Sequence, residues 1–163
     1  MLEFVQKELF IKKVLEKMDS EIAELESGAR SNHKASVDAP GAMQSHSDTS
    51  KFQNKVAEEN IVQIISKRKN QRAAIEEMKI PDAVNDSGIG TFVLVEDDGI
   101  EKRYAILPGG AGMEVWDGEE LDLYIVITPE TPIGKALMGK RPGNKAVFRI
   151  GKKEKRIIVK KVW

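Results

Sequence analysis

Phe4, Ile11, Met18 and Leu25 stand seven residues apart, and Met1, Leu15 and Ile22 fill the complementary seam, with Glu8 as its one charged member. This is the a/d pattern of a coiled coil, and Glu and Lys crowd the flanking positions. A helix cannot hide such a stripe from water by itself, so a partner is required. Gly28 follows the last seam residue, where a left-handed residue can close a helix. The spacing therefore predicts a helix over residues 1–27, about 40 Å long at ~1.5 Å per residue. A second helical run covers roughly residues 49–78, with Ala57, Ile61, Ile64, Arg68, Gln71, Ile75 and Met78 in its seam, and Pro81 ends it. Two helices of similar length predict an antiparallel hairpin over residues 1–80. Pairing of the same seams between chains, giving a coiled-coil oligomer, is the alternative.

The connection, about residues 28–50, is rich in Ser, Ala, Gly, Asn and His, with Pro40-Gly41 as its clearest turn signal. It is long for a helix–helix link, which usually takes about two to eight residues. Part of it extends the helices and the rest forms a tip. His33, His46, Asp38 and Asp48 lie here, polar groups that core packing does not explain.

Beyond Pro81 the apolar period falls from helical to two. Residues 91–95 read as a strand, 96–99 (Glu-Asp-Asp-Gly) as a turn and 102–107 as the returning strand. Residues 108–112 (Pro-Gly-Gly-Ala-Gly) read as a flexible turn; with no Gly-Lys-Ser/Thr ending they form no phosphate-cradling loop, and GxGxxG is absent. A short apolar strand at 123–127 leads through 128–131 into a helical turn over 132–138, where Pro132 suits the first helical position. Strands at 145–150 and 156–162 flank a turn at 151–154. The fold class is α+β: an N-terminal antiparallel coiled-coil hairpin, then a small antiparallel sheet packed with one short helix over residues 81–163.

The chain contains no cysteine, which excludes disulfides, thiolate nucleophiles and cysteine-built zinc sites and suits a reducing, cytoplasmic setting. No window approaches eighteen consecutive apolar residues, so no membrane span is expected. Net charge is zero but segregated. Residues 81–133 hold twelve acids against Lys102 and Arg103, whereas residues 134–163 hold eleven bases against Glu154. Either an acidic strand face pairs with a basic one inside a single sheet, or the basic block offers a surface to an acidic or polyanionic partner.

Residues 128–144, Thr-Pro-Glu-Thr-Pro-Ile-Gly-Lys-Ala-Leu-Met-Gly-Lys-Arg-Pro-Gly-Asn, resemble the signature of the Gre transcript-cleavage factors of bacterial RNA polymerase. In that family a polar or acidic residue, Ser/Thr-Pro-Ile/Leu, a small residue, a base and Ala-Leu-hydrophobic-Gly-Lys precede a Gly-Asp-like turn. Gly90-Thr91-Phe92-Val93 and Tyr104-Ala105-Ile106 resemble strands of the same FKBP-like C-terminal domain, and the likeness runs over roughly residues 86–162. In the hairpin it rests on architecture.

The resemblance implies an accessory factor, not an enzyme, with no cofactor of its own. Such factors dock the globular domain at the mouth of the polymerase secondary channel and push the hairpin tip inward. Tip acids then help hold a Mg²⁺ ion shared with the polymerase, whose phosphodiester cleavage needs a second cation and carboxylate ligands. Carried over, the docking residues fall on Glu130, Thr131, Pro132 and Ile133, and the tip aspartate on Asp48. Asp38, which the resemblance does not supply, is a candidate substitute carboxylate across the loop. The family's glutamate position holds Lys51, a cation that repels Mg²⁺. As plain structure, Asp48 and Thr131 are helix caps. The partners so implied are RNA polymerase and, indirectly, RNA and DNA in the elongation complex, with no membrane and a monomeric factor. Two other readings stand beside it: a channel occupant without cleavage, and a prolyl isomerase using Phe92, Tyr104, Trp116, Tyr124, Phe148 and Trp163.

Overall fold

In the computed structural model, which describes residues 4–38, 47–117 and 122–163, helix α1 (Phe4–Asp38) runs unbroken through Gly28. Within the helices, the side chains of residues 4–5, 32, 35–38, 47–52 and 54 fall outside that description. The expected stop at Gly28 is thus corrected. One interior glycine costs about 1 kcal/mol relative to alanine, and no proline follows before the helix gains further partners. Helix α2 (Ser47–Glu77) lies beside it in the opposite sense. Three side-chain contacts show the antiparallel course, as one residue number rises while the other falls: the ion pairs Asp19–Arg72 and Glu26–Lys69, the latter at 2.7 Å, and the His33–Glu58 hydrogen bond at 3.1 Å. The segment between the helices shrinks from the expected 28–50 to residues 39–46, which lie outside the described residues together with Pro40-Gly41 and His46.

The heptad seam locates only part of the buried surface of α1. Ile11, Met18 and Ile22 are buried and Leu25 is half-buried, but Glu8 is exposed, and two of the most buried residues, Phe10 and Val14, lie outside the seam. The reason is a second contact. The first half of α1 is bedded on the β-sheet, so it buries a wider stripe than a coiled coil requires. In α2, Ile75 is buried while Ile64 and Ala57 are exposed, and Arg68 and Gln71 are half-buried.

The strands are β1 (Phe92–Asp97), β2 (Ile100–Ile106), β3 (Glu114–Trp116), β4 (Leu123–Ile127), β5 (Lys145–Ile150) and β6 (Lys153–Val162), with helix α3 (Pro132–Leu137) before β5. They form one sheet in the order β3-β4-β2-β1-β6-β5. The expected all-antiparallel sheet is corrected at one place: β2 and β4 run parallel, joined by a connection that contains β3. Strand β3 was not expected, because three residues carry too little alternation to register. The turns are tighter than expected. Glu96 and Asp97 still pair across β1 and β2, leaving Asp98-Gly99 to turn, and Lys153 and Glu154 belong to β6.

Both faces of the sheet are covered. On one, Phe10, Val14 and Met18 of α1 and Ile75 of α2 pack on Phe92, Tyr124, Val126 and Trp163. The rings of Phe10, Phe92 and Tyr124 meet edge to face at 5.1–5.6 Å. Burying each such side chain contributes about 1.5–3 kcal/mol. On the other face, α3 places Leu137 over Val93, Ile106, Phe148 and Val159. The loop after β2 is not a free turn. A Cβ on Gly109 would sit 2.6 Å from that of Gln71, so the loop backbone presses directly on α2.

Candidate functional site

The loop into α3 is locked by its own chemistry. Thr131 takes extended backbone angles and caps the helix, its Oγ1 accepting from Gly134 N–H at 3.1 Å and donating to the Thr128 carbonyl at 2.7 Å. Thr131 N–H also donates to the Thr128 carbonyl, at 3.0 Å. Pro132 takes the first helical position, where no N–H is needed. A Cβ at Gly134 would lie 1.9 Å from that same carbonyl oxygen, so only glycine fits. This explains the small residue of the motif. Glu130 and Pro132 are exposed, Thr131 is half-buried, and Ile133 packs against the lower core. The four residues therefore form one rigid corner, exposed at Glu130 and Pro132.

Ser87, which sequence reasoning missed, fastens the far end of α3. Its hydroxyl accepts from Lys140 N–H at 2.9 Å and faces the carbonyls of Leu137 and Lys140, and its backbone bonds Gly139 and Lys140 at 2.7 and 2.8 Å. The only prior signal was its place in a polar run between the halves, which reads as a linker.

Part of the segregated charge is paired inside the sheet. The Asp97 carboxylate is buried and meets Lys102 at 2.6 Å and Lys155 at 3.3 Å, while Lys160 meets Glu96 at 2.9 Å. The Lys102 hydrogen bond holds Asp97 below the usual carboxylate range, against the opposing effect of burial. Acidic β1 facing basic β6 is the first of the two charge readings. Lys7 is buried with its ammonium 5.9 Å from the Phe92 ring centroid, and burial lowers its pKa.

Lysines of α1 hold the sheet edge. Lys13 Nζ donates to the Trp116 and Asp117 carbonyls at 3.1 and 3.0 Å, and Lys17 Nζ to the Glu114 carbonyl at 3.1 Å. As α1 advances, β3 therefore runs backward. Since β3 is antiparallel to β4, α1 points along β4 toward Thr128. Gly110, beside both Met18 and Val126, agrees. The helix pair thus leaves the domain at the end that carries the Glu130–Ile133 corner. Only residues from about Asp19 to Asp38 project, a reach of about 30 Å rather than the full helix length.

Asp38 is the last residue of α1 and Asp48 the second of α2, and Lys51 is three residues further on. Their side chains lie outside the described residues. Among the described residues, no group of three His, Cys, Asp or Glu side chains is placed to hold a metal. As a donor set, one aspartate with a lysine a turn away does not make a magnesium site of its own.

The isomerase aromatics are spent on packing: Phe92, Tyr124 and Trp163 form the cluster with Phe10, Tyr104 and Phe148 lie in the lower core, and Trp116 alone is exposed. No described helix is long and apolar enough to cross a membrane.

The fold and site define a class: a long helix pair mounted on a mixed six-stranded domain with a capped loop at its projecting end. No family model and no curated protein matches the chain. Its neighbours among solved structures are transcription factors of the Gfh1 and GreA/GreB kind. It is similar to GreA factor homolog 1 (Gfh1) of Thermus thermophilus, with 15% identity over 94% of both chains and a TM-score of 0.37. Gfh1 of Thermus aquaticus is 16% identical over 94% of this chain and 93% of that one, with a TM-score of 0.36. The elongation factor GreA/GreB of Nitrosomonas europaea is 17% identical over 58% of this chain and 78% of its own, with a TM-score of 0.35.

Proposed function

We propose that the chain is a monomeric cytoplasmic accessory factor of RNA polymerase, docking by Glu130–Ile133 at the secondary channel and extending a coiled-coil tip toward the active site. The observation that carries this reading is directional: the locked corner and the projecting helices share one end of the domain. A factor that docks at a rim and reaches inward needs that arrangement. In this reading Asp48, with Asp38, serves cleavage of backtracked RNA by supporting a Mg²⁺ held mainly by polymerase. A second reading, occupancy of the channel without cleavage, is favoured by Lys51 at the family's glutamate position.

The test is RNA shortening in a stalled, backtracked elongation complex. If the chain stimulates cleavage, Asp48→Asn abolishes it, and Lys51→Glu raises it by restoring a second carboxylate. If it only occupies the channel, the wild type binds and slows nucleotide entry without shortening RNA, and Glu130→Lys relieves that block. No binding to polymerase at micromolar concentration refutes both.

A further inference from the structure

Strand β5 is the last strand of the sheet and, among the described residues, pairs only with β6, leaving the other side of its backbone without a strand partner there. The register shows which groups point outward. Gly151-Lys152 forms a two-residue hairpin turn, which makes Ile150–Lys153 a hydrogen-bonded pair. Pairs alternate along an antiparallel ladder. The backbone N–H and C=O groups of Lys145, Val147 and Arg149 are therefore the ones directed away from β6. The Val159 N–H bond to the Asn144 carbonyl, at 2.9 Å, keeps the same alternation at the other end of the strand.

Those three residues also carry exposed side chains; Val147 is 51% exposed. Between this edge and α3 runs a groove of about 490 Å³, lined by Pro132, Lys135, Ala136, Val147 and Arg149, with Glu130 at one end. Two of its lining side chains, Lys135 and Arg149, are cationic, and Lys145 stands on the same strand. None of the three makes an ion pair with any described residue, unlike Lys155 and Lys160.

From this we propose that the β5 edge is a strand-addition site for an extended, acidic peptide segment of a partner protein. The unpaired edge supplies alternating donors and acceptors that only another backbone matches. Phosphodiesters offer acceptors alone, leaving the three outward carbonyls unpaired, and no exposed aromatic lies here for base stacking. A second copy of this chain would set Lys145 and Arg149 against their own kind, the usual protection of an edge. An acidic strand meets no such repulsion. The inference does not depend on polymerase binding, because its probe is a free peptide.

The experiment titrates the labelled full chain with the capped peptide Thr-Glu-Val-Glu-Thr-Glu-Val-Glu, its lysine counterpart, a proline-interrupted acidic version and a single-stranded oligonucleotide. Strand addition predicts slowed amide exchange at Lys145, Val147 and Arg149 with the first peptide, and at least tenfold weaker binding of the lysine and proline versions. Val147→Pro, whose N–H is outside the ladder, keeps the fold and weakens the peptide about tenfold. Unchanged edge amides in the bound state, equal binding by the proline-interrupted peptide, or tighter binding of the oligonucleotide would each overturn the proposal.

Discussion

Replacing Gly134 with alanine tests the account of the locked corner. The added Cβ would lie 1.9 Å from the Thr128 carbonyl oxygen and 2.8 Å from Thr131 Oγ1. The carbonyl is fixed backbone at the end of β4, so the loop must open by about 1 Å or more to reach an ordinary contact distance. Overpacking of this kind costs roughly 1–3 kcal/mol. The movement also breaks at least one of the bonds at 2.7 and 3.0 Å that Thr131 makes to Thr128, at about 1 kcal/mol each. The smaller entropy of an unfolded alanine returns roughly 0.4–1 kcal/mol. The net loss is about 3 kcal/mol, or roughly 10 °C in a chain of this size. Gly28→Ala is the internal control. Nothing lies within 4 Å of its Cβ and it sits inside a helix, so it should stabilise α1 by about 1 kcal/mol. Thermal unfolding followed by circular dichroism reads both. If Gly134→Ala melts within 1 °C of wild type, the close packing of the corner is wrong.

Ser87→Ala strips the clamp from the end of α3, and we expect a loss of about 1–3 kcal/mol by chemical denaturation with faster amide exchange at Lys140. Asp97 has a lowered folded-state pKa, so its contribution to stability is complete above the unfolded value near pH 4 and is lost as pH falls through the folded one. Asp97→Asn should therefore flatten the acid limb of the stability profile below about pH 4 while lowering stability at neutral pH. Lys13→Met with Lys17→Met leaves the β3 carbonyls without those donors; amide exchange at β3 should rise, with a total loss of about 1 kcal/mol.

The sequence made some layers of this architecture plain and hid others for definable reasons. Thr131-Pro132 announced both the cap and the first turn of α3, because that chemistry is local. The strands at 123–127 and 145–150 appear with the expected bounds, since their apolar runs are cleanly interrupted. The helices ran on past the expected ends, because Gly28 is a stop only when nothing beyond it pairs, and the Glu58 partner of His33 is distant in sequence. Phe10 and Val14 were overlooked because a heptad template recognises one partner face, whereas α1 has two. The parallel β2–β4 pair arises from a crossover that no local pattern encodes. Of the candidate residues, Glu130–Ile133 come together as one corner, while Asp38 closes α1 and Asp48 is the second residue of α2.

The central strand has its two neighbours at very different distances along the chain. β2 follows β1 after a two-residue turn, but β6 must return from far downstream, with Phe92 and Trp163 exchanging backbone bonds at 2.8 and 3.0 Å. During synthesis, then, β1 waits with one flank bare until the ribosome has delivered about seventy more residues, and closing so long a loop is entropically slow. Translation stalled before that point would leave a nascent chain with an open middle strand, a natural recruit for chaperones.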